Sequence, residues 1–107
     1  FIVYREGTQV LGFASYGYRD LTDGVYDLFW IAVDANTRRG GVGRKLLSAT
    51  EEEVRNLGGR MVIAETSGKA LYESTRKFYI GTGYQAEATI KDFYTKGDDL
   101  VIYVKRL

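Results

Sequence analysis

An arginine- and glycine-rich stretch, RRGGVGRK at positions 38–45, stands directly before a run of residues with helical spacing. The first N–H groups of a helix have no partner within it, and the peptide dipoles give that end a partial positive charge. Glycines remove the side chains that would keep an anion away from those N–H groups. Arginines add positive charge at the same point. The stretch therefore predicts a local anion-binding site that suits a phosphate group.

Two common phosphate-binding motifs do not fit this stretch. A P-loop places lysine and then serine or threonine directly after its last glycine, whereas Gly43 is followed by Arg44-Lys45-Leu46. The dinucleotide fingerprint places a third glycine three residues after the second, and counting from Gly41 and Gly43 that position is Leu46. Neither motif therefore describes the predicted anion site.

The amino-acid composition excludes several kinds of catalytic group and binding partner. The chain has no cysteine and no histidine, which removes thiolate nucleophiles, disulfides, and the commonest general base and metal ligand. A net charge of +1 gives no general attraction for nucleic acid. No apolar run approaches the roughly 20 residues of a membrane span, and no signal-peptide pattern opens the chain. We expect a cytoplasmic protein with no nucleic-acid, membrane or metal partner.

The remaining pattern predicts one mixed α/β domain. A chain of 107 residues is long enough for a single core, so we expect one domain over residues 1–107. The predicted order is β-β-β-α-β-α-β-β, a mostly antiparallel central sheet with helices on its faces. The predicted strands are 1–4, 10–16, 25–33, 60–65, 84–90 and 100–107, and the predicted helices are 41–57 and 70–82.

Two strands carry specific expectations about burial. Strand 25–33, VYDLFWIAV, is apolar on both alternating faces, as is typical of a central strand covered on two sides. Its only charge is Asp27, which regular alternation places on the face of Phe29 and Ile31. Strand 84–90 alternates cleanly, and its predicted inward residues are Tyr84, Ala86, Ala88 and Ile90.

Each predicted helix has an apolar stripe and a glycine terminator. The first stripe consists of Val42, Leu46, Leu47, Thr50, Val54 and Leu57, and the second of Leu71, Thr75, Phe78 and Thr82. Gly58 and Gly83 end the two helices, because glycine readily adopts the left-handed conformation of a helix terminator. Residues 92–98 are predicted to form a polar loop.

The glycine-rich stretch also resembles a known signature. Arg38-Arg39-Gly40-Gly41-Val42-Gly43 matches the Gln/Arg-x-x-Gly-x-Gly/Ala loop of the GCN5-related N-acetyltransferase (GNAT) superfamily. The preceding IAVDANT is similar to the end of that family's fourth strand, although Ala35 stands where the family usually has proline. LYESTRKFYIGTGY resembles the family helix that carries a tyrosine, here Tyr79, four residues before a Gly-aromatic pair. The final segment, 92–107, resembles the last loop and strand of small-molecule acetyltransferases of this family.

The resemblance implies a fold, a reaction and a donor site. The fold is that of acyl-CoA N-acyltransferases, and the reaction is direct transfer of an acetyl group from acetyl-CoA to a primary amine in a ternary complex. The CoA diphosphate would bind at Arg38, Arg39, Gly40, Gly41, Val42, Gly43 and Arg44. The pantetheine arm would hydrogen-bond to the backbone of Ile31, Ala32 and Val33, whose side chains can pack in the core at the same time.

Catalytic roles follow from the same resemblance. Tyr79 corresponds to the family's general acid, and a phenol with a pKa near 10 can donate a proton at neutral pH. Core packing is its structural alternative. Because the chain has no histidine, the candidate bases are the carboxylates Asp27 and Glu65. Burial in the central strand would suit Asp27 to accept a proton, and Glu65 closes strand 60–65, where the sheet of the family opens towards the same cleft. The structural alternative for either carboxylate is an ion pair with an arginine such as Arg76, and water is a further candidate base.

Several expectations leave alternatives open. The chain opens at Phe1 in a strand-like run, and the strand and helices that usually open family domains are absent, so we expect an N-terminally incomplete domain. A non-catalytic CoA-binding regulatory module and a purely structural interaction domain are therefore alternatives to the enzyme. A homodimer through an edge strand is also expected. The acidic and aromatic residues of the late loop suit either a cationic amine or a solvated turn; they are Asp92, Tyr94, Asp98 and Asp99.

Overall fold

Residues 1–36 and 41–107, which the computed structural model describes, form six β-strands and two α-helices. The strands are β1 (Ile2–Glu6), β2 (Gln9–Tyr18), β3 (Val25–Val33), β4 (Met61–Ser67), β5 (Gln85–Thr95) and β6 (Asp98–Arg106), and the helices are α1 (Val42–Asn56) and α2 (Glu73–Gly81). A 3₁₀ turn, Ala70–Tyr72, leads into α2. The predicted order and the mixed α/β class are confirmed.

The chain divides into two compact units. The first unit contains Phe1–Val62 and Leu107, and the second contains Ile63–Arg106. In the first unit β2 pairs antiparallel with β1 on one side and with β3 on the other. In the second unit β6 lies between β4 and β5, and it pairs antiparallel with β5.

A bulge in β3 changes the faces predicted for that strand. Ser15 of β2 opposes Trp30 and Tyr16 opposes Leu28, so Phe29 is an extra residue in β3. Directly opposed residues point to the same side of a sheet. Asp27 opposes Gly17, whose Cβ position faces the Phe29 ring, whereas Ile31 opposes the fully buried Ala14. Asp27 and Ile31 therefore lie on opposite faces, and their predicted shared face is wrong.

The middle of β3 is also more exposed than its apolar sequence suggests. Phe29 is 56% exposed and Trp30 is 69% exposed. Hydrophobicity shows that a side chain can be buried, but burial requires a second layer over that face. The predicted cover on both sides of β3 is therefore wrong for these two residues.

A second bulge changes β5. Ala86 opposes Tyr103 and Ala88 opposes Ile102, so Glu87 is an extra residue and the two alanines face opposite sides. Every residue of β5 is exposed. The predicted inward position is right only for Tyr84, which precedes the strand and is buried, and wrong for Ala86, Ala88 and Ile90.

The predicted loop at 92–98 is largely strand. β5 runs to Thr95 and β6 starts at Asp98, so that only two residues form the turn between them. The register shifts between Ile90 and Thr95, where Asp92 has a left-handed φ of 57°. Its carboxylate accepts a hydrogen bond from the Gly97 N–H at 2.7 Å, which a strand-period pattern does not reveal.

The apolar stripe of α1 forms the core of the first unit. All predicted stripe residues within the helix are buried: Val42, Leu46, Leu47, Thr50 and Val54. Leu57 is exposed, because the helix ends at Asn56. In α2 only Tyr79 is buried, so the predicted stripe is wrong for Leu71, which lies in the preceding 3₁₀ turn and is exposed. Gly58 and Gly83 have left-handed φ values of 86° and 96°, as their terminator role requires.

Candidate functional site

Helix α1 begins directly after a glycine in the left-handed conformation. Gly41 adopts a left-handed φ of 72°, and no atom of the described residues lies within 4 Å of a Cβ added there. Its carbonyl accepts the first helical hydrogen bond, from the Lys45 N–H at 3.0 Å. The N–H groups of Val42 and Gly43 consequently have no acceptor inside the helix. Within the described part of the chain, no side chain caps this end and no acidic residue occupies the first turn.

A close contact with β2 holds this helix end in position. A Cβ on Gly12 would lie 2.8 Å from the Ala32 carbonyl oxygen, 3.0 Å from Leu46 and 3.2 Å from Val42. Only glycine therefore allows α1 to approach β2 and β3 this closely. The Val42 side chain is buried in this contact. The group of Val42 that is suited to bind an anion is therefore its backbone N–H.

The basic residues near this end differ in their surroundings. Arg44 is exposed at the third position of α1. The Lys45 ammonium donates a hydrogen bond to the Tyr4 hydroxyl at 3.3 Å and lies 5.3 Å from the centre of that ring. Lys45 is thus held by β1. The predicted ligands Arg38, Arg39 and Gly40 lie outside the described residues.

The predicted pantetheine strand is anchored along one edge by β2. Val33, Ala32 and Ile31 oppose Gly12, Phe13 and Ala14, and all three β3 residues are half-buried. The Asp34 N–H then donates to the Leu11 carbonyl at 2.8 Å, which extends the pairing beyond the strand. The first unit thus brings the end of β3 and the start of α1 together around Gly12.

Tyr79 lies in an aromatic cluster of the second unit. It is 8% exposed, and its ring centre lies 5.5 Å from that of Tyr84, 5.6 Å from that of Tyr103 and 5.6 Å from that of Phe78. Burial raises the pKa of the Tyr79 phenol above its ordinary value of 10. The phenol is therefore protonated across the neutral range and can act as a proton donor.

Asp27 is engaged in an ion pair. The Arg19 guanidinium donates to the Asp27 carboxylate from Nη2 at 2.7 Å and from Nε at 2.9 and 3.1 Å. The Arg19 N–H also bonds to the Val25 carbonyl at 2.9 Å, so this pair closes the loop between β2 and β3. The contact favours the structural alternative for Asp27, with Arg19 and not Arg76 as its partner.

Glu65 is exposed on β4, near an acidic and aromatic group. Burial raises the pKa of Tyr94, and the charges of Glu65 and Asp98 raise it further. The late-loop carboxylates also hold the local structure: Asp98 accepts a hydrogen bond from Ser67, and the Asp99 carboxylate accepts one from the Asp92 N–H at 3.0 Å. These contacts give the acidic residues a structural role in holding the turn, and this role requires no ligand.

The predicted site residues divide between the two units. The first holds Asp27, the end of β3 and the start of α1, and the second holds Glu65 and Tyr79. Gly12 was missed, although a glycine inside a strand is itself a signal of close backbone approach. Among the residues with described positions, no three acidic side chains gather as metal ligands, and no helix is long and apolar enough to cross a membrane.

Comparisons with known proteins bear on both the fold and the family. A family model described as an acetyltransferase (GNAT) domain matches residues 1–86. A GNAT-family protein from Desulfovibrio desulfuricans has a crystal structure that is 44% identical, with a TM-score of 0.96, over 97% of this chain and 65% of that chain. The present chain thus spans slightly less than two thirds of that relative. No curated protein matches the sequence.

Two further solved structures are similar at lower identity. A ribosomal-protein-alanine N-acetyltransferase from Brucella melitensis is 28% identical, with a TM-score of 0.81, over 98% of this chain and 67% of that chain. An aminoglycoside 6'-N-acetyltransferase complexed with coenzyme A is 18% identical, with a TM-score of 0.83, over 97% of this chain and 70% of that chain. The latter shows the fold alone. Together these likenesses confirm the acyl-CoA N-acyltransferase fold.

Proposed function

We propose, from the premise that this chain belongs to the GNAT acetyltransferase family, that it transfers the acetyl group of acetyl-CoA directly to a primary amine. Amine acceptors are named for two of the similar structures, an aminoglycoside and the alanine of a ribosomal protein. The proposal names only the class of acceptor, a primary amine, because those two acceptors differ widely in size. Acetyl-CoA supplies a thioester, with the CoA thiol as its leaving group.

The glycine start of α1, which has no side-chain cap among the described residues, is the observation that supports this function most directly. Left-handed Gly41 starts the helix with its Cβ position clear of the described residues, and Gly12 fixes that helix end beside the end of β3. A diphosphate fits such a place because it accepts several N–H bonds and favours the positive end of the helix dipole. We assign the CoA diphosphate to the loop from Arg38 to Arg44, with the arginines supplying charge-assisted hydrogen bonds.

Tyr79 is proposed as the acid for the departing thiolate. Its raised pKa keeps the phenolic proton available at neutral pH, so that the phenol can donate it to the sulfur as the carbon–sulfur bond breaks. The amine nitrogen forms the new bond to the acetyl carbon and then loses one proton. The products are an N-acetyl amine and free CoA, and the proton count balances once the phenolate is reprotonated from water.

Water is proposed as the acceptor of the amine proton, with Glu65 as the protein group that could assist it. Glu65 is exposed on β4, so its carboxylate is in contact with solvent. Asp27 is a weaker candidate because its carboxylate already accepts three close hydrogen bonds from Arg19. An enzyme without a protein base requires only that the amine be neutral when it attacks.

Calorimetry with acetyl-CoA tests the donor site. Gly41→Ala should weaken binding about tenfold or more, because it removes backbone freedom and places a methyl group where the anion would lie. Gly7→Ala is the matched control, since Gly7 also has a left-handed φ, 59°, and no atom of residues 1–36 or 41–107 lies within 4 Å of its Cβ position. Equal affinities for the two variants, or no binding by the unaltered chain, would remove the proposed site.

A thiol-release assay with a panel of primary amines tests turnover. The enzyme should release CoA with at least one amine, and Tyr79→Phe should slow that release while acetyl-CoA affinity stays unchanged. A chain that binds acetyl-CoA tightly but acetylates no amine would instead fit the regulatory binding module. The homodimer is a separate proposal that sedimentation of the same sample tests.

A further inference from the structure

We propose that Arg76 is a positioning residue that fixes the Tyr79 phenol by tying α2 to the end of β4. This inference rests on the proposed function, in which Tyr79 is the acid. Arg76 Nη1 donates to the Ser67 carbonyl at 2.8 Å and to the Lys69 carbonyl at 2.7 Å. One side chain of α2 thus holds both ends of the short connection that leads from β4 towards the helix.

The same connection is anchored from β6. The Ser67 hydroxyl donates to the Asp98 carboxylate and accepts the Lys69 N–H at 3.1 Å. The Gly68 N–H donates to the Asp99 carbonyl at 2.9 Å. Residues 67–69 are therefore fixed to the sheet of the second unit, and Arg76 transmits that fixed position to α2.

Arg76 stands three residues before Tyr79, so both lie on neighbouring turns of one helical face. At its other end α2 is tied by Lys105, whose ammonium donates to the Thr82 carbonyl at 3.0 Å. A helix of nine residues held at both ends has little freedom to slide or rotate. Loss of the Arg76 tie would free the N-terminal end and let the Tyr79 ring shift within its aromatic cluster.

Arginine has properties that this tie requires. A guanidinium is permanently charged and directs several N–H groups in a fixed plane, which lets it serve two carbonyls together. Both bonds come from Nη1, whose two N–H groups are held at a fixed angle in the guanidinium plane, whereas a lysine ammonium places its three N–H groups tetrahedrally at the end of a flexible stem. Arg76→Lys should therefore retain part of the effect, and Arg76→Met, which keeps the aliphatic stem but removes the donors, should lose it.

A double-mutant cycle with Tyr79→Phe tests the proposal in steady-state acetyl transfer. Arg76→Met should lower kcat about ten- to hundredfold with little change in the KM for acetyl-CoA, because it misplaces the acid and leaves the donor site intact. In the Tyr79→Phe background the same change should lower kcat less than about twofold. Lys77→Met is the control, since the contact of Lys77 within the described part of the chain is an exposed ion pair with Glu73 on the same helix.

Titration of the Tyr79 phenol gives a readout that does not need turnover. With tyrosine labelled at Cζ, the Tyr79 signal is the one that Tyr79→Phe removes, and Arg76→Met should move its pKa towards 10 as the ring becomes more exposed. If kcat falls equally in both backgrounds and the titration is unchanged, Arg76 has only a general structural role and the proposal is overturned.

The two proposals fail in distinguishable ways. An unaltered chain that acetylates no amine defeats the proposed function, while the Tyr79 titration still decides whether Arg76 holds the phenol in place. An active chain whose Tyr79 titration and kcat are insensitive to Arg76→Met defeats the positioning role alone. If Arg76→Met does not fold, Arg76→Lys carries the same comparisons with thermal unfolding measured beside them.

Discussion

The rings of Tyr79 and Tyr84 meet across the end of α2, with their centres 5.5 Å apart. The Tyr84 N–H donates to the Tyr79 carbonyl at 3.0 Å, and left-handed Gly83 makes the turn between them. This is the hydrogen-bonding pattern of a Schellman terminator, which brings together side chains at these two positions. Tyr79 therefore has a structural role in addition to its proposed catalytic one. A test of catalysis must remove its hydroxyl group and keep its ring.

Tyr79→Phe makes that separation. The variant keeps the ring contacts, so we expect the free energy of unfolding to change by less than about 1 kcal/mol. Loss of the proton donor should lower kcat about 10²- to 10⁴-fold. Tyr103→Phe, which alters a ring of the same cluster, should leave kcat nearly unchanged. A Tyr79→Phe variant with full kcat would leave the residue with packing as its only role.

The pH dependence provides a second test of the acid. Because burial raises the pKa of Tyr79, its proton is lost only above pH 10, and the donor should not limit kcat at any lower pH. The unfolded state ionises first, so Tyr79 lowers the free energy of unfolding as pH rises above 10 and has no such effect below it. Tyr79→Phe should remove this alkaline dependence in chemical unfolding measured across that range. An unchanged pH dependence would mean that the folded phenol is not shifted.

The sequence was most informative where local rules decide the structure. The steps of the α1 stripe, the glycine terminators and the β-rich runs each depend on neighbouring residues, and they predicted the element order. The bulges at Phe29 and Glu87 could not be predicted in this way, because each depends on pairing with another strand. The bulge at Phe29 places Asp27 and Ile31 on opposite faces, and the bulge at Glu87 does the same for Ala86 and Ala88.

The candidate site was also predictable only where neighbouring residues decide the structure. Gly41 has the left-handed geometry that a glycine at a helix start readily adopts, and its Cβ position is clear of the described residues. The partner of Asp27 was not predictable, because Arg19 reaches it across a loop whose closure the sequence does not specify. The role of Gly12 depends on the approach of Ala32 and of a helix some thirty residues further along the chain, so that it appears only in three dimensions.

Asp27→Asn distinguishes a base from a structural ion pair. If the carboxylate only holds the β2–β3 loop, removal of either partner should cost about 0.2–1 kcal/mol in free energy of unfolding, since Arg19 is partly exposed. Asp27→Asn and Arg19→Gln should then have similar, small effects on kcat. Steady-state kinetics and urea unfolding of both variants supply the comparison. A large fall in kcat for Asp27→Asn alone would restore Asp27 as the base.

Gly12→Ala tests whether the contact between β2 and α1 supports the donor site. Its Cβ would lie 2.8 Å from a backbone oxygen, which cannot move without shifting β3, so we expect a loss of about 1–3 kcal/mol in free energy of unfolding. Acetyl-CoA affinity, measured by calorimetry on the folded variant, should fall with it, because the displaced helix start carries the proposed anion site. Gly17→Ala is the matched control on the same strand, since its Cβ would meet only the end of the exposed Phe29 ring, at 2.9 Å. That ring can rotate away, so the control should change stability by less than about 0.5 kcal/mol and leave affinity intact. A stable Gly12→Ala variant, or one that is destabilised but binds acetyl-CoA normally, would show that the approach of α1 to β2 does not set the geometry of the donor site.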